Sequence, residues 1–147
     1  MGSLGTYKNG IKDGKWTRWY ENGQKKEEAT YKDGKEDGLL TDWYENGQKK
    51  MEGTYNDGKQ VDKWTYWYKN GQTKQEGTFK DGKQVDKWTV WYRTGEKKSG
   101  GTYRDGKKDG PWTEWYKTGQ KYYENLYKDR KLIESKEWDR DGNLIED

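Results

Sequence analysis

The sequence contains no cysteine and no histidine, a single proline and a single phenylalanine. Without cysteine there is no disulfide framework, and the redox compartment leaves no trace. Without histidine the chain lacks both the commonest general base and the commonest zinc ligand. Aliphatic side chains are scarce, so apolar residues reach only 27% of the 147, against nearly half in ordinary domains. No apolar run is long enough for a membrane-spanning helix. A charge of one sign is missing too. Thirty basic residues face 27 acidic ones, the net charge is +3, and the signs alternate along the chain. Such interleaving leaves no electrostatic footprint for DNA or RNA.

What is present is unusual. Charged residues make up 39%, a level that by itself suggests disorder. Ten Trp and thirteen Tyr argue otherwise. A chain of this kind cannot build a thick aliphatic core, but it can cover a thin sheet with flat rings backed by Lys and Arg stems.

The rings recur with a fixed step of 24 residues. Trp-Tyr falls at Trp19, Trp43, Trp67, Trp91 and Trp115, each followed by its tyrosine, the first being Tyr20. A second aromatic keeps phase at Tyr7, Tyr31, Tyr55, Phe79, Tyr103 and Tyr127, and a third at Trp16, Trp64, Trp88 and Trp112, with Leu40 the one exchange. Glycines hold the same register at Gly34, Gly58, Gly82 and Gly106, and at Gly23, Gly47, Gly71, Gly95 and Gly119. Such self-similarity is the signature of a repeat architecture.

Turn chemistry divides each unit. Asn22-Gly23 lies between runs rich in Trp, Thr and Tyr, the pattern of a two-residue type I′ hairpin. Asp33-Gly34 and its copies mark the other end. A second Asp-Gly, as at Asp37-Gly38, follows four residues later, which predicts a wider loop there than at Asn-Gly. A two-residue Asn-Gly loop pairs Trp16 with Ala29 and Tyr20 with Lys25. It also sets Trp64 and Trp88 opposite Gly77 and Gly101, leaving room for each indole to lie across its partner strand. Strand alternation then places Trp16, Tyr20 and Tyr31 on one side, and Trp19 and Thr17 on the other. Glycine or a turn pair every few residues excludes helix. The expected fold is all-β: an elongated single-layer antiparallel sheet of tandem 24-residue hairpins. Residues 1–3 read as a cloning remnant, 4–128 as five repeats and 129–147 as a divergent cap. In that last segment Leu132, Ile133, Leu144 and Ile145 gather; a hydrophobic partner site is the alternative to a cap.

The stretch Gly53-Thr54-Tyr55-Asn56-Asp57-Gly58-Lys59 and the run from Trp112 to Gln120 resemble the bacterial MORN repeat variant. Trp-Tyr-Glu-Asn-Gly-Gln-Lys at Trp19 and again at Trp43 is similar to proteins named as YwqK-family antitoxins. The resemblance covers about residues 4–128 and implies a MORN-like ribbon of hairpins with protein-interaction roles. For some eukaryotic members it also implies membrane-lipid association, and the antitoxin label implies neutralising a toxin by direct binding. It carries no catalytic residues.

The expected function is therefore a non-enzymatic scaffold for protein–protein interaction, with antitoxin-like neutralisation as its finer form. The alternatives are a self-assembling structural or surface-exposed array and a lipid- or nucleic-acid-surface binder. Carboxylates are plentiful, but turn formation and pairing with Lys explain them, and no metal, cofactor or catalytic constellation emerges. Trp19, Trp43, Trp67, Trp91 and Trp115 form the candidate binding surface, with cross-strand packing as the competing reading. The remaining ring positions read as structural: Trp16, Tyr20, Tyr31, Tyr55, Trp64, Phe79, Trp88, Tyr103 and Trp112. The expected partner is another protein, a toxin or an adaptor, with self-association through sheet edges also open. Nucleic acid has little support because acids match bases locally, and a membrane surface has only the family behind it. The bacterial cytoplasm is the default compartment; secretion stays open, since a signal peptide could have been trimmed.

Overall fold

In the computed structural model, residues 2–146 are described. The long strands run as β4 (Gly14–Trp19), β5 (Lys25–Lys32), β6 (Lys35–Trp43), β7 (Lys49–Asn56), β8 (Lys59–Trp67), β9 (Thr73–Lys80), β10 (Lys83–Trp91), β11 (Lys97–Arg104), β12 (Lys107–Trp115), β13 (Lys121–Lys128) and β14 (Lys131–Trp138). Short strands flank them: β1 (Ser3–Leu4), β2 (Tyr7–Lys8) and β3 (Ile11–Lys12) at the start, and β15 (Leu144–Ile145) at the end. Thirteen strands form one open antiparallel sheet, with β4 to β15 in sequence order and β1 beside β4, while β2 and β3 make a separate small ribbon. The chain is thus the all-β array of regular hairpins that its repeat predicts. No helix among the described residues is long and apolar enough to cross a membrane.

The two kinds of turn are the reverse of the sequence expectation. Asp33 and Gly34 both take positive φ, 49° and 84°, as do Asp57-Gly58, Asp81-Gly82 and Asp105-Gly106. These are the two-residue hairpins: Lys32 pairs directly with Lys35, and the double positive φ is the type I′ signature. At the other end Gly23 alone has positive φ, 84°. There the Gly23 amide donates to the Tyr20 carbonyl (3.0 Å), and the Tyr20 amide donates to the Gln24 carbonyl (2.8 Å). Asn22 serves the loop with its side chain instead, its Oδ1 accepting from the Gln24 amide at 3.0 Å. Lys25 therefore pairs with Trp19, not Tyr20, and the register slips between Arg18 and Trp19. The wider loop sits at Asn-Gly.

The second Asp-Gly is not a loop. It lies inside a strand, where the register jumps: Thr54 pairs with Val61 but Glu52 with Thr65. Gly14, Gly38, Asp62, Asp86 and Gly110 all take positive φ at this step. The extra residues form a bulge, and a bulge bends the strand and sharpens its twist. Only residues tolerant of left-handed backbone fit, so Gly and Asp exchange there. The last unit has a smaller jump, from Leu126–Glu134 to Tyr127–Leu132. One residue fewer in that bulge is why its tryptophan arrives early, as Trp138.

Two positions after each bulge comes the Trp16, Trp64, Trp88 and Trp112 series. Trp64 and Trp88 are 0% and 1% exposed, unusual for the largest side chain in a single sheet. The predicted pairs hold: Trp16 with Ala29, Trp64 with Gly77 and Trp88 with Gly101. The indoles, however, do not lie over those facing residues. Each lies over the glycine of the preceding strand, so a Cβ at Gly53 would sit 2.1 Å from the Trp64 ring and one at Gly77 2.0 Å from Trp88. Gly5 and Gly101 lie under Trp16 and Trp112 in the same way. This geometry explains paired exchanges along the chain. Leu40 replaces the indole where Ala29 replaces the glycine, and both are buried. At the far end Ser135 stands opposite Asn125 and donates to its Oδ1 at 2.6 Å.

The covered face is an edge-to-face chain of rings. Tyr55 meets Trp64 at 5.2 Å, Trp64 meets Phe79 at 5.9 Å, Phe79 meets Trp88 at 5.1 Å and Trp88 meets Tyr103 at 6.0 Å; Tyr103 then meets Trp112 at 5.1 Å. Ring quadrupoles favour this arrangement. Each indole N–H is satisfied by a backbone carbonyl, Trp64 by Thr54 and Trp112 by Thr102. Met51, Tyr66 and Tyr31 pack beside Ala29, Leu40 and Trp64.

Candidate binding face

The opposite face carries the second tryptophan row. Trp19, Trp43, Trp67, Trp91 and Trp115 end the alternate strands β4, β6, β8, β10 and β12, so they recur every second strand, about 10 Å apart at ordinary strand spacing. All five are half-buried. The row continues into Trp138, which arrives one residue ahead of the 24-residue step. Lysines of the preceding unit hang over several of these rings: Lys25 over Trp43 at 5.7 Å, Lys49 over Trp67 at 5.8 Å and Lys121 over Trp138 at 5.6 Å.

Between the indoles runs a row of carboxylates. Glu28 accepts from Lys15 and Lys25, both at 2.9 Å. Lys49 pairs with Glu52, Lys63 with Glu76 at 3.1 Å, and Lys121 with Glu124. Thr41 and Thr65 donate to Glu52 and Glu76 at 3.1 and 3.4 Å. The Glu28 carboxyl is held below the usual range chiefly by the Lys15 hydrogen bond, with burial opposing. Each pair is exposed and worth little singly. Their regularity nonetheless sets a pattern that any occupant of this face would meet.

A ladder of polar bonds locks the units together at the Asn-Gly end. The Tyr20 hydroxyl donates to the Trp43 carbonyl at 2.7 Å, Tyr44 to Trp67 at 2.8 Å, Tyr68 to Trp91 and Tyr92 to Trp115 at 2.7 Å, and Tyr116 to Trp138 at 3.0 Å. Asn22, Asn46 and Asn70 donate in parallel to the Glu45, Lys69 and Arg93 carbonyls, each at 2.9 Å. Tyr20, read from the sequence as a structural ring, is placed by the fold with its hydroxyl bonded to the next unit. At Asp139, in the tyrosine place, the carboxylate instead accepts from the Asp141 and Asn143 amides of its own turn at 2.9 Å. Those bonds hold its pKa below the ordinary aspartate value, the Asn143 amide contributing most.

Sequence reasoning missed a tyrosine cluster near the end of the array. Tyr122 occupies the place of Lys26, Lys50, Lys74 and Lys98, and its ring lies 4.7 Å from Tyr116 and 4.2 Å from Tyr123. Hydrogen bonding with Tyr122, then with Glu137, pushes the Tyr123 hydroxyl well above its usual pKa. A cavity of about 340 Å³ bounded by Tyr92, Tyr116, Lys117, Thr118 and Arg140 lies nearby. The signal was a tyrosine at a lysine position. Among the described residues no group of His, Cys, Asp or Glu has the arrangement of a metal site.

An open sheet of identical hairpins, one face zipped by rings and the other striped with indoles and ion pairs, defines a tandem-repeat array. The MORN repeat variant pattern matches residues 12–33, 36–57, 63–81 and 108–129, more than half of the chain, which belongs to that family. No curated protein matches the chain. The longest stretch between matches, 82–107, still folds as the same hairpin.

Proposed function

We propose that this chain is a non-enzymatic binding module that presents the Trp19–Trp115 row to a partner protein. The supporting observation is the division of labour between its faces. The Trp64 and Trp88 series already supplies a buried zipper, whereas the second row leaves part of each residue exposed at a regular pitch. Partly exposed Trp, with Arg and Tyr, is the composition of interface anchors. Antitoxin-like neutralisation of a toxin by direct binding is the finer form of this reading. The test is co-purification from the native source with the wild-type chain and with Trp67→Ser/Trp91→Ser. A partner lost with the variant, while circular dichroism stays unchanged, supports the module; identical partners with both chains would falsify it.

A second reading has an observation of its own. Apolar side chains are exposed at both ends of the array: Leu4 at 70% on β1 and Tyr7 at 63% on the β2–β3 ribbon at one end, Leu132 and Ile133 at 52% and 54% on β14 at the other. End-to-end growth of a structural array would cover them. Light scattering over a concentration series separates the two readings, since indefinite growth favours the array and a fixed small mass the module.

A further inference from the structure

The carboxylate row of the indole face is broken once. Glu28, Glu52, Glu76 and Glu124 hold equivalent places, and the fifth place is Gly100. Its surroundings are unchanged. Thr89 pairs with Gly100 and Trp91 with Lys97, as Thr65 pairs with Glu76 and Trp43 with Lys49. Lys87 stands where Lys15 and Lys63 stand in their units. The donors that elsewhere serve a glutamate are thus all present: Lys87, Lys97 and the Thr89 hydroxyl. Neither lysine pairs with a carboxylate among the described residues. A groove of about 400 Å³ opens beside it, and its lining includes Lys87, Thr89, Trp91 and Lys97 together with Glu76, whose carboxylate is already paired with Lys63 at 3.1 Å. On the next strand Trp115 leans in, 3.8 Å from where a Gly100 Cβ would be.

From this geometry we infer that the gap at Gly100 is a carboxylate-accepting notch in which a partner protein's Asp or Glu side chain takes the place of the missing glutamate. This inference rests on the module reading above and names the chemistry of the partner at one point. The donor set is already arranged, because the same hairpin geometry orients it around glutamate in the other units. Two unpaired ammonium groups attract an anion, and two indoles flank it with surface for the stem of the incoming side chain. Charge-assisted bonds to a half-desolvated carboxylate are stronger than neutral ones. A glycine here also lets a partner backbone approach closely, since nothing projects from position 100.

The test uses the full chain, labelled with nitrogen-15 and titrated with an acetylated hexaglutamate peptide, with inorganic phosphate as a parallel probe. The expected result is a localised shift of the Gly100 amide and of the Trp91 and Trp115 indole N–H signals with the peptide but not with phosphate. Gly100→Glu restores the internal carboxylate and should weaken binding by about tenfold or more. Lys87→Gln/Lys97→Gln should do the same, which keeps the test decisive if Gly100→Glu folds poorly. Lys59→Gln/Lys83→Gln, beside the Asp57-Gly58 and Asp81-Gly82 turns, controls for net charge and should change little. Binding that survives Gly100→Glu, equal loss in the control, or the same shifts with phosphate would each overturn the notch. A natural partner retained by Gly100→Glu overturns the notch and leaves the module reading standing. Peptide binding at Gly100 with no partner captured overturns the module reading and leaves the carboxylate site.

Discussion

The glycine beneath each indole can be tested quantitatively at Gly77. An alanine there places its Cβ 2.0 Å from Cδ2 of Trp88 and 2.2 Å from Cε2. The ring cannot swing aside freely, because its N–H donates to the Thr78 and Val85 carbonyls at 3.2 Å and the side chain is 1% exposed. Gly77→Ala should therefore cost about 3 kcal/mol, the upper part of the overpacking range. Trp88→Leu alone leaves a void and should cost a similar ~3 kcal/mol. Together they recreate the Ala29–Leu40 pair that the chain itself uses. The double variant should thus recover about 2 kcal/mol relative to the sum of the singles, a coupling well outside ordinary additivity. Urea unfolding followed by circular dichroism and by tryptophan fluorescence gives the three free-energy differences. Additive costs within about 0.5 kcal/mol would refute the claim that the residue under the ring and the ring are chosen together.

Other consequences are simpler to read. Tyr68→Phe removes the bond to the Trp91 carbonyl and should lower stability by about 1 kcal/mol, measurable in the same urea assay. Arg130→Gly relieves an arginine at φ 69° in the Asp129-Arg130 turn and should stabilise by roughly 1 kcal/mol, seen as a raised Tm. Asp42 has a buried Oδ1 with no hydrogen-bond partner and pairs with Glu27. Burial first, then Glu27, raises its pKa. A raised carboxyl pKa favours the fold at acid pH, and that contribution fades as pH climbs from the ordinary aspartate value through the raised one. Asp42→Asn should accordingly stabilise by about 1 kcal/mol at pH 7, with the gain shrinking below pH ~4. A gain that is equal at both pH values would count against burial of the charge as its cause.

The amino-acid order by itself determined the 24-residue repeat and the hairpin class, because turn residues and strand alternation are local and periodic; the pairing of Trp16 with Ala29, drawn from a two-residue Asn22-Gly23 loop, holds because the slip between Arg18 and Trp19 restores that register beyond a wider loop. It also separated the two tryptophan rows by side of the sheet. Several features were decided only by the folded sheet. Asn22-Gly23 and Asp33-Gly34 are both strong hairpin pairs, and which one becomes the tight turn depends on register summed over a whole strand. The second Asp-Gly looked like loop chemistry, yet positive φ serves a bulge equally well, and sequence does not distinguish the two. Which glycine lies beneath an indole depends on the bend that bulge creates, a relation between neighbouring strands that no spacing along one strand expresses. The gap at Gly100 shows both levels at once: a missing glutamate can be read from the repeat, but the two exposed lysines and the buried Thr89 converge only when the strands are side by side.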